Sequence, residues 1–399
     1  MSTPLPAYPA PKADPAIPTG VVYSDLRVKE PVSRVVLPSG HEAWLVSRYD
    51  DVRTVLSDQR FSRYLLYPGA PCMIEPGDFS TGERSILNLD PPDHTRLRRL
   101  ASKAFTPRRV EGLRGRIEQI TAGLLDEMSA KSPPVDLIEE FAFPLPTAVI
   151  CELLGVPFAD RERFRAWSSV IVTPMQHNMD EVAAAQRDGA GDMRRLIAAK
   201  RDHPGDDLLS GLIAARDDED RLTEEELVDL ATQMLLAGHE TTVSLIGTGV
   251  VLLMRHPDQL AALRAKPDLV GLAVEEILRY ESPADSSLLR VATEDVELAG
   301  VTIRKGEAVL AVTGSANFDD SEFSDSTTFD ITRTHNPHVG FGYGQHFCIG
   351  APLARVEGRV ALAGLLNRFP GLRLAVPPEQ IGWRPPLSVR GPVAVPVTW

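Results

Sequence analysis

The chain reads as a mainly α, α+β protein folded as a single domain. Three observations predict this. Apolar residues recur at helical spacing over long stretches from Pro92 onward. Strand-like runs are short and fall near the start and in the last third of the chain. The 399 residues suffice for one large domain or two ordinary ones, and no internal repeat and no convincing linker divides them.

Taken in order, Met1 to Pro18 is rich in proline and is expected to be a flexible arm, leaving 19–399 as the domain. Arg34 to Arg48 predicts a hairpin, with an apolar run, the turn Pro38-Ser39-Gly40, and a second run from Ala43 to Val46. Asp50 or Asp51 would cap a short helix ending near Leu56. Ser62 to Leu87 is rich in Pro and Gly and has little periodicity, as lids and binding loops often do. Thr106 and Pro107 supply an N-cap and a first helical residue. Behind them Val110, Leu113, Ile117, Ile120, Leu124 and Met128 mark one helix face. A second long helix opens on the capping box of Thr223 and Glu226 and runs to about Arg255. At ~1.5 Å per residue it would span about 45 Å. Strand patterns return at Val296 to Leu298, at Val309 to Val312 and near the C-terminus.

Composition excludes several classes of function. The formal net charge of -13 disfavours nucleic acid as a partner. The first twenty residues lack a basic segment followed by an apolar one, so no signal peptide is expected. No run reaches the ~20 apolar residues of a membrane span. The longest candidate, Val243 to Met254, carries Ser, Thr and Gly. No membrane partner and a cytoplasmic location are therefore expected. The three cysteines, Cys72, Cys151 and Cys348, are scattered and form no C-x-x-C pair. That argues against a disulfide framework or a zinc site.

Cys348 stands in Gly340-Phe341-Gly342-Tyr343-Gly344-Gln345-His346-Phe347-Cys348-Ile349-Gly350, just before a helical pattern from about Ala351 to Arg368. A thiol there is suited to metal binding, because the positive end of a helix favours thiolate. The glycines allow sharp turns and close approach to a flat ligand. Taken alone, an isolated cysteine is more often an inert small hydrophobe. Within the second long helix, Ala237-Gly238-His239-Glu240-Thr241-Thr242 is poor helix sequence, since Gly costs ~1 kcal/mol and Thr hydroxyls compete for carbonyls. It reads either as a groove opened for function or as a kinked core helix with a satisfied Glu. His94 and Arg98 lie four apart and share a helix face that suits an anion, or that simply meets water. Glu276 and Arg279 can pair at i, i+3, which for a surface pair has little value.

Phe341, Gly344, Cys348 and Gly350 satisfy Phe-x-x-Gly-x-x-x-Cys-x-Gly. Here the chain resembles the cytochrome P-450 superfamily, in which one cysteine thiolate holds the heme iron. The resemblance runs from the Arg34 hairpin to Trp399 and is to the soluble bacterial class. It implies heme b (protoporphyrin IX iron) as cofactor, with Cys348 as its axial ligand, a thiolate that favours O–O cleavage. It also implies that Glu240 and Thr241 are the acid and alcohol that pass protons toward the oxygen substrate. His94, Arg98, Arg290 and His346 match propionate-binding positions, and Phe341 and Gly350 flank the ligand. Glu276 and Arg279 become a structural pair locked by Arg333, with Ile331 where the family often has proline.

The activity so implied is a heme-thiolate monooxygenase. It would insert one oxygen atom from O2 into a lipophilic small molecule, by hydroxylation or epoxidation. Many relatives tailor macrolides and other secondary metabolites. No flavin-like domain or dinucleotide fingerprint is visible, so electrons from NAD(P)H are expected through a ferredoxin and its reductase. At 100° per residue Arg96, Arg99 and Lys103 share the helix side opposite His94 and Arg98. That stripe, with Arg355 or Arg359, is a candidate docking site for an acidic ferredoxin, or a solvated basic face. A monomer is expected. By family position Ser62 to Leu87, Ala166 to Asp188, Ser286 to Leu289 and Leu387 to Val389 line an apolar pocket. A peroxygenase or isomerase is the alternative, against which the Glu240-Thr241 pair weighs. A heme ligand sensor is another, for which no output domain is visible.

Overall fold

Val32–Val36 and Glu42–Val46 form the expected antiparallel hairpin, in register from Val32 opposite Val46 to Val36 opposite Glu42. The structure is a computed structural model that describes residues 5–74, 85–102, 105–172, 177–217, 222–384, 387 and 389–399. The chain divides into two compact units, each assembled from two stretches. The first takes Met1–Arg96 and Glu275–Ile349, the second Leu97–Val274 and Gly350–Trp399.

In the first unit the hairpin extends into a five-stranded sheet. The order is Val32–Val36, Glu42–Val46, Ala308–Ala311, Arg290–Ala292 and Phe61–Ser62. Its apolar face packs Val46, Phe61 and Val309 with Val52, Val55 and Leu56 of the helix Tyr49–Ser57. That helix is capped differently from expectation. Its N-cap is Arg48 and makes no side-chain cap bond. Asp50 and Asp51 lie inside the first turn, where they favour the positive helix end. The first N–H, on Tyr49, goes instead to Asp319 Oδ2 at 2.9 Å.

Residues 5–18 depart from the flexible arm expected of 1–18. Val36 N donates to Pro6 O at 2.9 Å and Tyr8 N to Val36 O at 2.8 Å. Tyr8 is buried and its hydroxyl donates to Ser286 Oγ at 2.9 Å. The outer edge of the hairpin carries unpaired backbone groups, and the proline-rich segment satisfies some of them.

Glu276 and Arg279 are no surface pair. Both side chains are fully buried, with two contacts of 2.8 Å between them. Arg279 also donates to the carbonyls of Asn317, Ser326 and Thr328. Arg333 Nε lies 3.2 Å from Glu276 Oε2, in the third position that the resemblance implied. A buried pair of this kind ties down loops through its spare donors rather than adding net stability.

The second unit is helical around Glu224–Arg255, with a three-stranded sheet of Val135–Asp136, Pro396–Thr398 and Arg373–Leu374. The Thr223 capping box is present in both directions. The helix is long and apolar enough to cross a membrane, but 83% of its most apolar stretch is buried inside the protein, as in a core helix. It does not break at residues 237–242. Thr241 Oγ1 donates back to Ala237 O at 2.9 Å, and the helix continues through it. Packing of the buried faces overrides the weak local propensity there. Pro107–Ser129 starts with Thr106 in extended geometry and Pro107 in the first turn, without a side-chain cap bond.

Candidate active site

The cysteine loop belongs to the first unit and is closed by its own backbone. Gly342 N donates to Val339 O at 2.8 Å, Phe347 N to Gly344 O at 3.1 Å, and Cys348 N to Phe341 O at 2.9 Å. Two glycines are required by conformation, Gly342 at φ 74 and Gly344 at φ 72. Gly340 is required by space, since a Cβ would stand 2.6 Å from Ser282 Oγ and 2.8 Å from Leu278 O. Gly350 has an ordinary φ of -81 and serves as the N-cap of Ala351–Arg368. Phe341 and Phe347 meet edge to face at 6.3 Å. Of the three cysteines, Cys72 and Cys151 are buried and Cys348 is half-buried. Burial pushes the Cys151 thiol up to about 11, which makes it a poor nucleophile or ligand.

Two of the predicted anion-binding side chains converge beside that loop. The rings of His94 and His346 lie 4.2 Å apart. His94 is buried on the helix Asp93–Ser102, and Arg98, four residues on, is half-buried. In the first unit, Arg290 is 2% exposed on the strand Arg290–Ala292. Its Nη1 donates to Phe61 O at 3.0 Å, while its buried Nε has no hydrogen-bond partner among the described residues. Burial lowers the guanidinium to about 10, and the charge of Asp90 offsets only part of that. A buried cation with an unmet donor is costly unless an anion completes it. Within the first unit, His94 and His346 beside the glycine loop and the buried Arg290 suit a ligand bearing carboxylates.

In the second unit, Glu240 is 3% exposed in the middle of the long helix. Its Oε2 is 2.6 Å from Arg384 Nη1. Its Oε1 is 3.8 Å from Nε2 of His239, which is also buried. Burial, reinforced by the Arg384 charge, holds His239 below its usual range, against the upward pull of Glu240. Thr241 is half-buried on the same helix. Gly238 lets Ile150 come close, since a Cβ there would lie 2.7 Å from Ile150 Cδ1.

The cytochrome P-450 family model matches residues 162–382, more than half of the chain. The chain belongs to the cytochrome P-450 family. It is 47% identical over 379 residues to nocardicin C N-oxygenase from Nocardia uniformis subsp. tsuyamanensis, covering 94% of each chain. It is 47% identical over 381 residues to mycinamicin IV hydroxylase/epoxidase from Micromonospora griseorubida, again over 94% of each. Among solved structures, SgvP, a putative thioether synthase of griseoviridin tailoring, superposes with a TM-score of 0.94 at 43% identity, over 100% of both chains. The chain is therefore a P-450 monooxygenase of the bacterial secondary-metabolite class, using heme iron, O2 and NAD(P)H-derived electrons delivered by redox partners.

Sequence reasoning did not find Arg384 or a role for His239. Arg384 lies 144 residues from Glu240, and no spacing rule links the two. His239 carried a weak signal, a polar ring inside a buried helix. Of the predicted pocket segments, residues 75–84, 173–176 and 388 lie outside the described residues, as does Lys103 of the basic stripe.

Proposed function

We propose that the protein oxygenates a lipophilic secondary metabolite of macrolide or polyketide type, by hydroxylation or epoxidation, as a cytoplasmic monomer reduced by a ferredoxin. The names of its relatives, among them a mycinamicin hydroxylase/epoxidase, support that substrate class. In this reading residues 19–399 act as one domain, because each unit is built from two interleaved stretches of chain.

A bound heme b would supply the one-electron and O2 chemistry. The chain's own residues do the rest. Cys348 would hold the iron as thiolate, oriented by its N–H bond to Phe341 O. Arg290, His94, His346 and Arg98 would hold the propionates, with Arg290 gaining the anion that its buried Nε lacks. Phe341 and Gly350 flank the thiolate in sequence and would shield and turn it. Glu240 would hold the proton and Thr241 would pass it on. Thr241 has a hydroxyl proton already committed to Ala237 O, which leaves its oxygen lone pairs free to accept. An acid–alcohol pair of this kind weighs against a peroxygenase.

The observation that carries this reading is the closed glycine loop around half-buried Cys348. Its test is the difference spectrum of the dithionite-reduced, CO-bound protein. We expect a strongly red-shifted Soret band in the native chain and its loss in Cys348→Ala. A band at the histidine-ligated position in the native protein, or no heme in well-folded protein, would overturn the assignment.

A further inference from the structure

The two oxygens of Glu240 have different partners. Oε2 is held by Arg384 Nη1 at 2.6 Å. Oε1 faces His239 Nε2 at 3.8 Å. The other ring nitrogen of His239, Nδ1, is 2.8 Å from Leu235 O. A carbonyl only accepts, so Nδ1 carries the hydrogen and Nε2 of the neutral ring is a bare lone pair. A lone pair therefore confronts a carboxylate oxygen in a site where both residues are almost fully buried. Two acceptors face to face repel, and one proton between them turns the contact into a hydrogen bond.

We propose that His239 is a positioning residue that shares the proton of Glu240, so that Oε1 can load and release a proton while Oε2 stays anchored to Arg384. The proposal rests on the reading of Glu240 as the relay acid. The step conserves charge and moves no electrons. A proton from a hydronium ion of the solvent reaches Nε2, leaving water, and gives the imidazolium. It passes to Oε1, and the ring returns to its neutral Nδ1–H form. The acid then yields the same proton from Oε1 to the Thr241 hydroxyl and returns to the carboxylate.

The surroundings favour a single shared proton. Ser168 Oγ, from the helix Arg161–Val172, is 3.5 Å from Nε2, but it donates to Arg165 O at 3.1 Å. The Arg165 guanidinium is committed to Glu139 at 2.9 Å and stacks on Phe143 at 4.2 Å. Phe143 and His239 meet edge to face at 5.9 Å, and Ile150 fills the space beside Gly238. The ionic groups that bear on His239 are Glu240 and Arg384. Arg384 anchors Oε2 at 2.6 Å, and Nε2 of His239 faces Oε1 at 3.8 Å.

The test uses the ferrous CO-bound holoenzyme, in which the carboxylic acid stretch of Glu240 is followed by infrared spectroscopy against pH and assigned by its loss in Glu240→Gln. His239→Phe should move the protonation midpoint of that band down by about one pKa unit, because the protonated acid loses its acceptor. It should also slow product formation about tenfold, less than removal of a general acid, with the CO spectrum intact. His239→Gln keeps an acceptor but cannot be protonated. It should restore the midpoint and not the rate. An unchanged midpoint and pH–rate profile in His239→Phe, with Glu240→Gln impaired, would overturn the role of His239. A Glu240→Gln variant of full activity would instead overturn the relay acid itself.

Discussion

Glu357 sits nine residues beyond Cys348 and is 1% exposed on the helix Ala351–Arg368. Its Oε2 has no hydrogen-bond partner among the described residues, and burial pushes the carboxyl up to about 8. The folded-state value lies above the unfolded one. The stability it contributes is therefore fully present below about pH 4.5 and is lost as pH rises through about 8. At about 1.4 kcal/mol per pKa unit the loss is on the order of 5 kcal/mol. We expect Glu357→Gln to gain on the native protein in guanidinium midpoint as pH is raised from 5 to 9. Parallel curves for the two proteins would show that Glu357 is hydrated or paired. At this same scale the sequence was legible where the site is local in the chain. Phe341, Gly344 and Cys348 fall within eight residues of one another, and the structure joins Cys348 N to Phe341 O. The partners of Glu240 were not legible in the same way. Arg384 reaches it across 144 residues, and only the folded chain brings such residues together.

Among the helices, those with a cap and a periodic face were readable to within a residue or two. Thr223 opens Glu224–Arg255 with a capping box, and Pro107 in the first turn opens Pro107–Ser129, where apolar spacing marks the same helix although Thr106 makes no cap bond. The helix at Tyr49 shows where that logic stops. Its first N–H is satisfied by Asp319, which no local pattern could supply. Gly238 is the case in which propensity and packing oppose each other. Gly→Ala inside a helix gains ~1 kcal/mol from propensity. Here the new Cβ would meet Ile150 Cδ1 and Cγ1 at 2.7 Å and Ile150 Cβ at 3.3 Å. Ile150 is 2% exposed and cannot rotate away from all three contacts. Overpacking costs typically ~1–3 kcal/mol, so packing outweighs propensity. We expect Gly238→Ala to lower the thermal midpoint of the heme-loaded protein. In an Ile150→Ala background the same change should be neutral or stabilising, as coupled neighbours are non-additive. Equal effects in both backgrounds would mean that the two helices separate freely at this point.

At the scale of the whole chain the relevant quantity is charge. The net charge of -13 repels an acidic donor protein at long range, so electron delivery needs a local basic surface. Of the predicted stripe, Arg96 and Arg99 lie among the described residues. Arg96 is 3.6 Å from Asp93, which weakens it as an anchor. Lys103 lies outside the described residues. Arg99 is exposed and forms no ion pair among the described residues. Arg359 is half-buried, gives its Nε to Arg355 O at 3.0 Å, and forms no ion pair among the described residues, although its charge bears on Glu111. Both belong to the second unit. An acidic ferredoxin should therefore lose attraction when either charge is reversed. We expect Arg99→Glu and Arg359→Glu to slow reduction by ferredoxin about tenfold at low salt, where steering is strongest. The variant and native rates should converge as salt rises, since the Debye length falls to about 8 Å at physiological ionic strength. The dithionite-reduced CO spectrum should not change, because neither side chain belongs to the cysteine loop. Native rates at low salt in both variants would remove this face as the docking surface and direct attention to the first unit, where Arg53 stacks on the exposed Tyr343 ring at 4.4 Å.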